Sequence, residues 1–164
     1  MEVLKELIQH KSIQLLIKAL GQESHLHLVG GCVRDSVLNI KPKDLDLATI
    51  FTPNEVISKL EKADIRYIVT GIRRGTITAV IEGEPFEITT FRNPENEKEF
   101  VKDIETDLGA RDFTINAIAL NVFTGQLVDP YGGLNDLKAN ILSAVRNPMF
   151  RFAEDSHRIL RMIL

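Results

Sequence analysis

The chain has 164 residues, 44% apolar and 26% charged, with a formal net charge of −3. That gives room for one domain with its own core and the beginning of a second, in an ordinary globular composition. No apolar run approaches the roughly 18–20 residues that span a bilayer, and the single Cys32 excludes an intrachain disulfide or a multi-cysteine zinc site. The start MEVLKELIQHK lacks the basic and uninterrupted apolar stretches of a secretion signal, so a cytoplasmic protein with no membrane association is expected. The acidic balance argues against a broad basic surface for nucleic acid. A local one is still available from Arg66, Arg73 and Arg74, or from Arg146, Arg151, Arg158 and Arg161.

In chain order, Val3, Leu4, Leu7 and Ile8, then Leu15, Leu16, Ala19 and Leu20, recur at helical spacing and predict a helix over 2–20, stopped by Gly21. HLHLV (25–29) reads as a short strand, ended by Gly30-Gly31, with CVRDSVLN as a short helix after it. DLDLATIF (44–51) alternates acid and apolar residues, the period of a strand with one polar face. Thr52-Pro53 opens a helix to about Lys62, with proline at a favourable first-turn position. TITAVIE (76–82) and FEITTFR (86–92) are β-rich and joined by the short GEP, which suggests a hairpin. Residues 93–103 read as a polar, mobile loop, and ARDFTINAIAL as a helix entering a strand. Asp129-Pro130 and Gly132-Gly133 punctuate the chain, and RFAEDSHRILRMIL reads as a helix. The order predicts an α/β fold, a mixed α+β sheet with flanking helices.

Two local patterns carry chemistry. On a strand, Asp44 and Asp46 project from one face, and two neighbouring carboxylates repel unless a cation lies between them. Mg²⁺ suits such a pair, because it prefers a few carboxylates together with phosphate oxygens and water. Taken alone, an Asp-X-Asp strand is more often a solvated edge than a metal site. Glu87 sits on one face of its strand with Thr89 and Phe91, either as a third acid of the same site or in an ion pair with Arg92 or Arg74. The second pattern is LVGGCVRD, a strand, a double glycine and a helix start. Glycines let backbone approach a phosphate, and Arg34, one turn on, offers a fork of donors. Asp35 can pair with an arginine or fix the turn. Most double-glycine turns are only tight turns, but this one lies close before the acidic strand.

These residues resemble the nucleotidyltransferase superfamily that includes DNA polymerase β, and within it the bacterial and eukaryotic (class II) tRNA nucleotidyltransferases, the CCA-adding enzymes and their poly(A) polymerase relatives. The similar stretches are LVGGCVRD (28–35), KDLDLAT (43–49), FEITTFR (86–92), ARDFTINAIA (110–119), DPYGGLNDL (129–137) and RFAEDSHRILR (151–161), which stand in the family's order. The resemblance implies a polymerase-β-like head over 1–147 and the start of a neck helix over 148–164. It implies that Asp44 and Asp46 hold Mg²⁺ and that Glu87 completes the acidic triad. It assigns Gly30, Gly31 and Arg34 to the triphosphate turn, and Arg111, Asp112 and Asn116 to sugar and phosphate contacts. Asp129, Gly132 and Gly133 are expected to be structural. On a helix, Asp155, Arg158 and Arg161 share a face. An acid beside a guanidinium matches the amine and unprotonated ring nitrogen that cytosine and adenine both present, and mismatches uracil and guanine.

The implied activity is Mg²⁺-dependent, template-independent addition of CMP and/or AMP from CTP and ATP to a tRNA 3′ end, in full or in part. Poly(A) polymerase is the alternative enzyme, and a non-catalytic nucleotide- or RNA-binding relic the alternative class. The chain departs from the family pattern at Ala110, where an arginine is usual, at Ser156 and His157, usually Pro and Leu, and at Leu164, commonly arginine. It is also much shorter than family members usually are, as expected of a catalytic head or a naturally minimal enzyme.

Overall fold

The computed structural model describes residues 2–71, 75–96 and 99–146. Two helices open the chain, α1 (Glu2–Gln9) and α2 (Lys11–Leu20), where the apolar spacing predicted one. At about 100° per residue, a straight helix would set Leu4 and Leu7 roughly opposite Ile13, Leu16 and Leu20. All five are buried in one core, and the extended backbone at His10 (φ −56°, ψ 129°) makes that possible.

The next elements are β1 (His27–Val29), α3 (Gly31–Val37), β2 (Asp46–Thr49) and α4 (Pro53–Lys62). The start of α4 is fixed by a capping box, in which the Thr52 hydroxyl accepts from the Glu55 amide and Glu55 accepts from the Thr52 amide. β3 (Arg66–Gly71), β4 (Thr76–Ile81) and β5 (Glu84–Thr90) form an antiparallel run. The β4–β5 turn is Glu82-Gly83, one residue earlier than expected. Both have positive φ (54° and 87°), the geometry of a two-residue hairpin that keeps the strands' twist.

α5 (Ile104–Leu108), β6 (Ala119–Asn121), β7 (Leu127–Val128) and α6 (Gly133–Ala139) complete the described chain. Of the helix entering a strand predicted over ARDFTINAIAL, the strand is present as the start of β6, but the helix is instead a set of tight turns with a 3₁₀ segment at Thr114–Asn116. Its backbone bonds outward: the Thr114 amide donates to the Ser143 carbonyl, and the Val145 amide to that of Asp112. The base of the polar segment 93–103 is closed by a bridge between Arg92 and Phe100.

The strands form one mixed sheet in the order β3-β4-β5-β2-β1-β6-β7, in which only β2 and β5 run parallel. This is the expected mixed α/β architecture. Strand alternation gives the sheet two unlike faces. Leu28, Leu47, Ile77, Ile88 and Leu120 point into the main core, which α1 to α4 cover. The opposite face carries Val29, Ala48 and Ala119 under a smaller cluster with Phe91, Leu108 and Val145. No helix among the described residues is long and apolar enough to cross a membrane.

The strand predicted over 44–51 is only four residues long. The β2–β5 register begins with Asp46 opposite Glu87. Continued, it would set Asp44 against Pro85, which has no N–H to offer. Asp44 therefore stands in the bend before the strand.

Candidate active site

The acids come together through the parallel pairing of β2 and β5. Asp46 and Glu87 are register partners, so their side chains leave the same face of adjacent strands about 4.8 Å apart at the backbone. Both are exposed. Asp44 is close enough for its charge to act on Asp46. The Asp46 carboxyl is pushed above the ordinary aspartate value, first by burial of its surroundings and also by Asp44, while Arg111 opposes the rise. Among the described residues, no three His, Cys, Asp or Glu side chains converge as a ready-made metal cluster. Asp44 thus reaches Asp46 through its field, whereas Asp46 and Glu87 are set by the sheet.

The glycine turn lies at the end of the neighbouring strand. Gly30 has φ 74° and ψ −136°, a conformation open in practice only to glycine. Its amide donates to the Ile118 carbonyl, and its own carbonyl accepts from the Val33 and Arg34 amides, which starts α3. The Arg111 guanidinium lies over this turn: a Cβ on Gly30 would stand 3.2 Å from Arg111 Nη1. Beneath it, Cys32 Sγ donates to the Val29 carbonyl at 3.3 Å, and burial pushes the thiol up to about 11.

Arg34 folds back over Gly31 rather than extending into solvent. Its Nε donates to Asp35 at 2.9 Å and its Nη1 to the Asn116 side-chain oxygen at 2.7 Å. Asn116 in turn donates through Nδ2 to Asp112 at 3.0 Å, and the buried Asp112 also accepts from the Phe113 amide. Three of the predicted site residues, with Asp35, thus form a chain from Asp35 through Arg34 and Asn116 to Asp112. It holds the turn before β6 against α3.

One residue of the site went unpredicted. Asp107, on α5, is buried and lies 3.6 Å from Arg111. It accepts from the Arg92 amide at 2.8 Å, just beyond the strand that bears Glu87. Its i,i+4 spacing to Arg111 is visible in the sequence, but no helix was expected there. His27, on the same sheet face, packs 6.0 Å from the Phe91 ring, and burial lowers its pKa.

DPYGG proves structural, as expected. Asp129 accepts from the Gly133 and Leu134 amides at the start of α6. Gly133 has no space for a Cβ, which would overlap the Thr114 carbonyl. Asp155, Arg158 and Arg161, like Arg73 and Arg74, lie outside the described residues.

The poly(A) polymerase head domain family matches residues 26–143. The CCA-adding enzymes of Lactobacillus helveticus and Oceanobacillus iheyensis are each 41% identical to the chain over 145 residues, or 84% of it. Those residues amount to 35% of each relative, so the chain spans about a third of their length. Among solved structures, the Bacillus stearothermophilus CCA-adding enzyme in complex with CTP is similar at a TM-score of 0.81 and 35% identity, covering 89% of this chain and 36% of that one. The Thermotoga maritima CCA-adding enzyme complexed with tRNA is similar at 0.79 and 28% identity, over 99% of this chain and 39% of that one.

Proposed function

The chain belongs to the poly(A) polymerase head domain family, and from that premise we propose that it is the catalytic head of a template-independent tRNA nucleotidyltransferase. Its substrates are CTP and ATP, and its acceptor is a tRNA 3′ end. The observation that carries this reading is the register of Asp46 and Glu87, with Arg111 lying over Gly30 and close enough for its charge to act on Asp46.

The donor set fits Mg²⁺: it is all carboxylate, and the Asp46 carboxyl is raised first by desolvation and, to a lesser degree, by the like charge of Asp44, both of which a divalent cation offsets. Asp44 and Asp46 would hold the ion, with Glu87 alongside. When bound, Mg²⁺ supplies activation of the attacking 3′ hydroxyl and neutralises charge on the leaving pyrophosphate. The protein's own residues do the rest. The Gly30-Gly31 turn lets the triphosphate approach the backbone, and Arg111 sets a cation against it. Arg34 belongs to the same triphosphate turn, and Asn116 and Asp112, linked to it by hydrogen bonds, stand beside the sugar and phosphates. Holding the acceptor and nucleotide in line accounts for much of the acceleration in transfers of this type.

On the same reading, residues 1–147 are the head. Asp155, Arg158 and Arg161, outside the described residues, select cytosine and adenine, and the protein works in the cytoplasm. The CCA-adding relatives favour tRNA as the acceptor over a poly(A) tail.

The test uses tRNAs ending before the CCA, after one C and after CC, each with Mg²⁺ and a single labelled nucleotide. Extension with CTP or ATP, lost in Asp46→Asn, supports the proposal. Processive adenylation alone points to poly(A) polymerase. Tight nucleotide binding without pyrophosphate release marks a non-catalytic relic and refutes it.

A further inference from the structure

Asp107 is buried, yet its Oδ2 has no hydrogen-bond partner, and neither has the buried Nε of Arg111 beside it. The two groups approach at 3.6 Å, an ion pair that is not closed by a hydrogen bond. An open buried donor and acceptor are costly and persist only where the surroundings hold them. Here the surroundings do so from two sides. Asp107 is fixed by the Arg92 amide at 2.8 Å. Arg111 is laid over Gly30, where any side chain would crowd it.

We propose that Asp107 is a positioning residue, holding the Arg111 guanidinium across the Gly30 turn so that its outward N–H groups face the nucleotide's triphosphate. This rests on reading Gly30 and Arg111 as the triphosphate seat. Because the ion pair is open, it steers the guanidinium without occupying its donors, which stay available to phosphate oxygens. Through the Arg92 amide, the same carboxylate ties that guanidinium to the end of β5, the strand that carries Glu87. One buried acid therefore sets the spacing between the phosphate seat and the acidic pair.

A carboxylate this close also offsets part of the arginine's charge, so the sign of its effect is diagnostic. If neutralisation dominated, removing the charge would strengthen triphosphate binding. If positioning dominates, removing it weakens binding.

The experiment measures dissociation constants for CTP and CMP, with Mg²⁺, by calorimetry. The proteins are the wild type, Asp107→Asn, Arg111→Gln and the double variant. Asn keeps an acceptor for the Arg92 amide and drops the charge. The expected result is CTP binding weaker by about tenfold in Asp107→Asn, the loss of roughly one charge-assisted hydrogen bond. CMP binding should change little, and Asp107→Asn should add nothing in the Arg111→Gln background. A general structural defect would instead lower CTP and CMP binding alike, and that outcome overturns the proposal. So does unchanged or tighter CTP binding, or a full effect of Asp107→Asn without Arg111. Should Asp107→Asn fail to fold, Asp107→Glu keeps the charge but moves it by one methylene. The same selective loss for CTP supports the proposal, and unaltered CTP binding refutes it. A wild type that binds no CTP refutes the triphosphate seat itself, a result distinct from a wild type that binds CTP and is indifferent to Asp107.

Discussion

Replacing Gly30 with alanine should damage the protein twice, through its backbone and through Arg111. At φ 74° and ψ −136°, an L side chain is strained by about 1–3 kcal/mol. For a chain of this size, each kcal/mol lowers Tm by about 2–4 °C. With strain of about 2 kcal/mol, the fall is about 4–8 °C. The second effect is local: the new Cβ would stand 3.2 Å from Arg111 Nη1 and push the guanidinium off the turn. Gly83→Ala separates the two effects. Gly83 also has positive φ (87°), but a Cβ there meets nothing within 4 Å, Arg111 included. Thermal unfolding should show both variants destabilised, while CTP titration should show weakened binding only in Gly30→Ala. If Gly30→Ala retains wild-type affinity for CTP, or if Gly83→Ala loses it equally, the argument that Arg111 is seated on that glycine is wrong.

Other outcomes follow from the same geometry. Gly133→Ala must displace the Thr114 backbone, so it should cost about 3 kcal/mol or more and lower the urea midpoint well beyond Gly83→Ala. The pH dependence of stability should report His27. Burial holds its folded pKa below the ordinary value, so the unfolded state takes up the proton first as the medium is acidified. Stability is therefore complete above about pH 6.5 and declines as pH falls from there towards the lowered folded pKa. Urea unfolding of His27→Gln across that window should lack this part of the decline, and an identical slope would refute the assignment. Cys32, with its thiol pushed up to about 11, should resist iodoacetamide at pH 8 in the native state and react readily in denaturant. Rapid native alkylation would show that the turn above it opens.

The sequence exposed those parts of the fold that depend on local signals. Thr52, Pro53 and Glu55 announce α4 through capping chemistry that needs no tertiary context. The acid and apolar alternation around Asp46 and Glu87 predicts which faces they share, and the sheet pairs them. What escaped depends on partners distant in sequence. The break at His10 is demanded by a core that must receive two opposed stripes, a demand written in the spacing but not in any residue at the break. β2 starts at Asp46 rather than Asp44 because of which strand lies beside it. β3 is an edge strand with Ile68 and Val69 exposed, so it shows no alternation to read. Asp107 was hidden for a further reason: α5 is five residues long, too short to leave a helical period.

The place of β2 in the sheet has a consequence for how the protein can move. It is the fourth of seven strands, with β5 and β1 hydrogen-bonded on either side. Amides at the centre of a sheet exchange with solvent only in openings close to global unfolding, whereas edges open cheaply. β3 and β7, the two edges, can fray or receive a neighbouring segment without altering the spacing of Asp46 and Glu87. In hydrogen exchange the acidic pair should sit on the slowest-exchanging backbone of the molecule, a rigid floor to the candidate site.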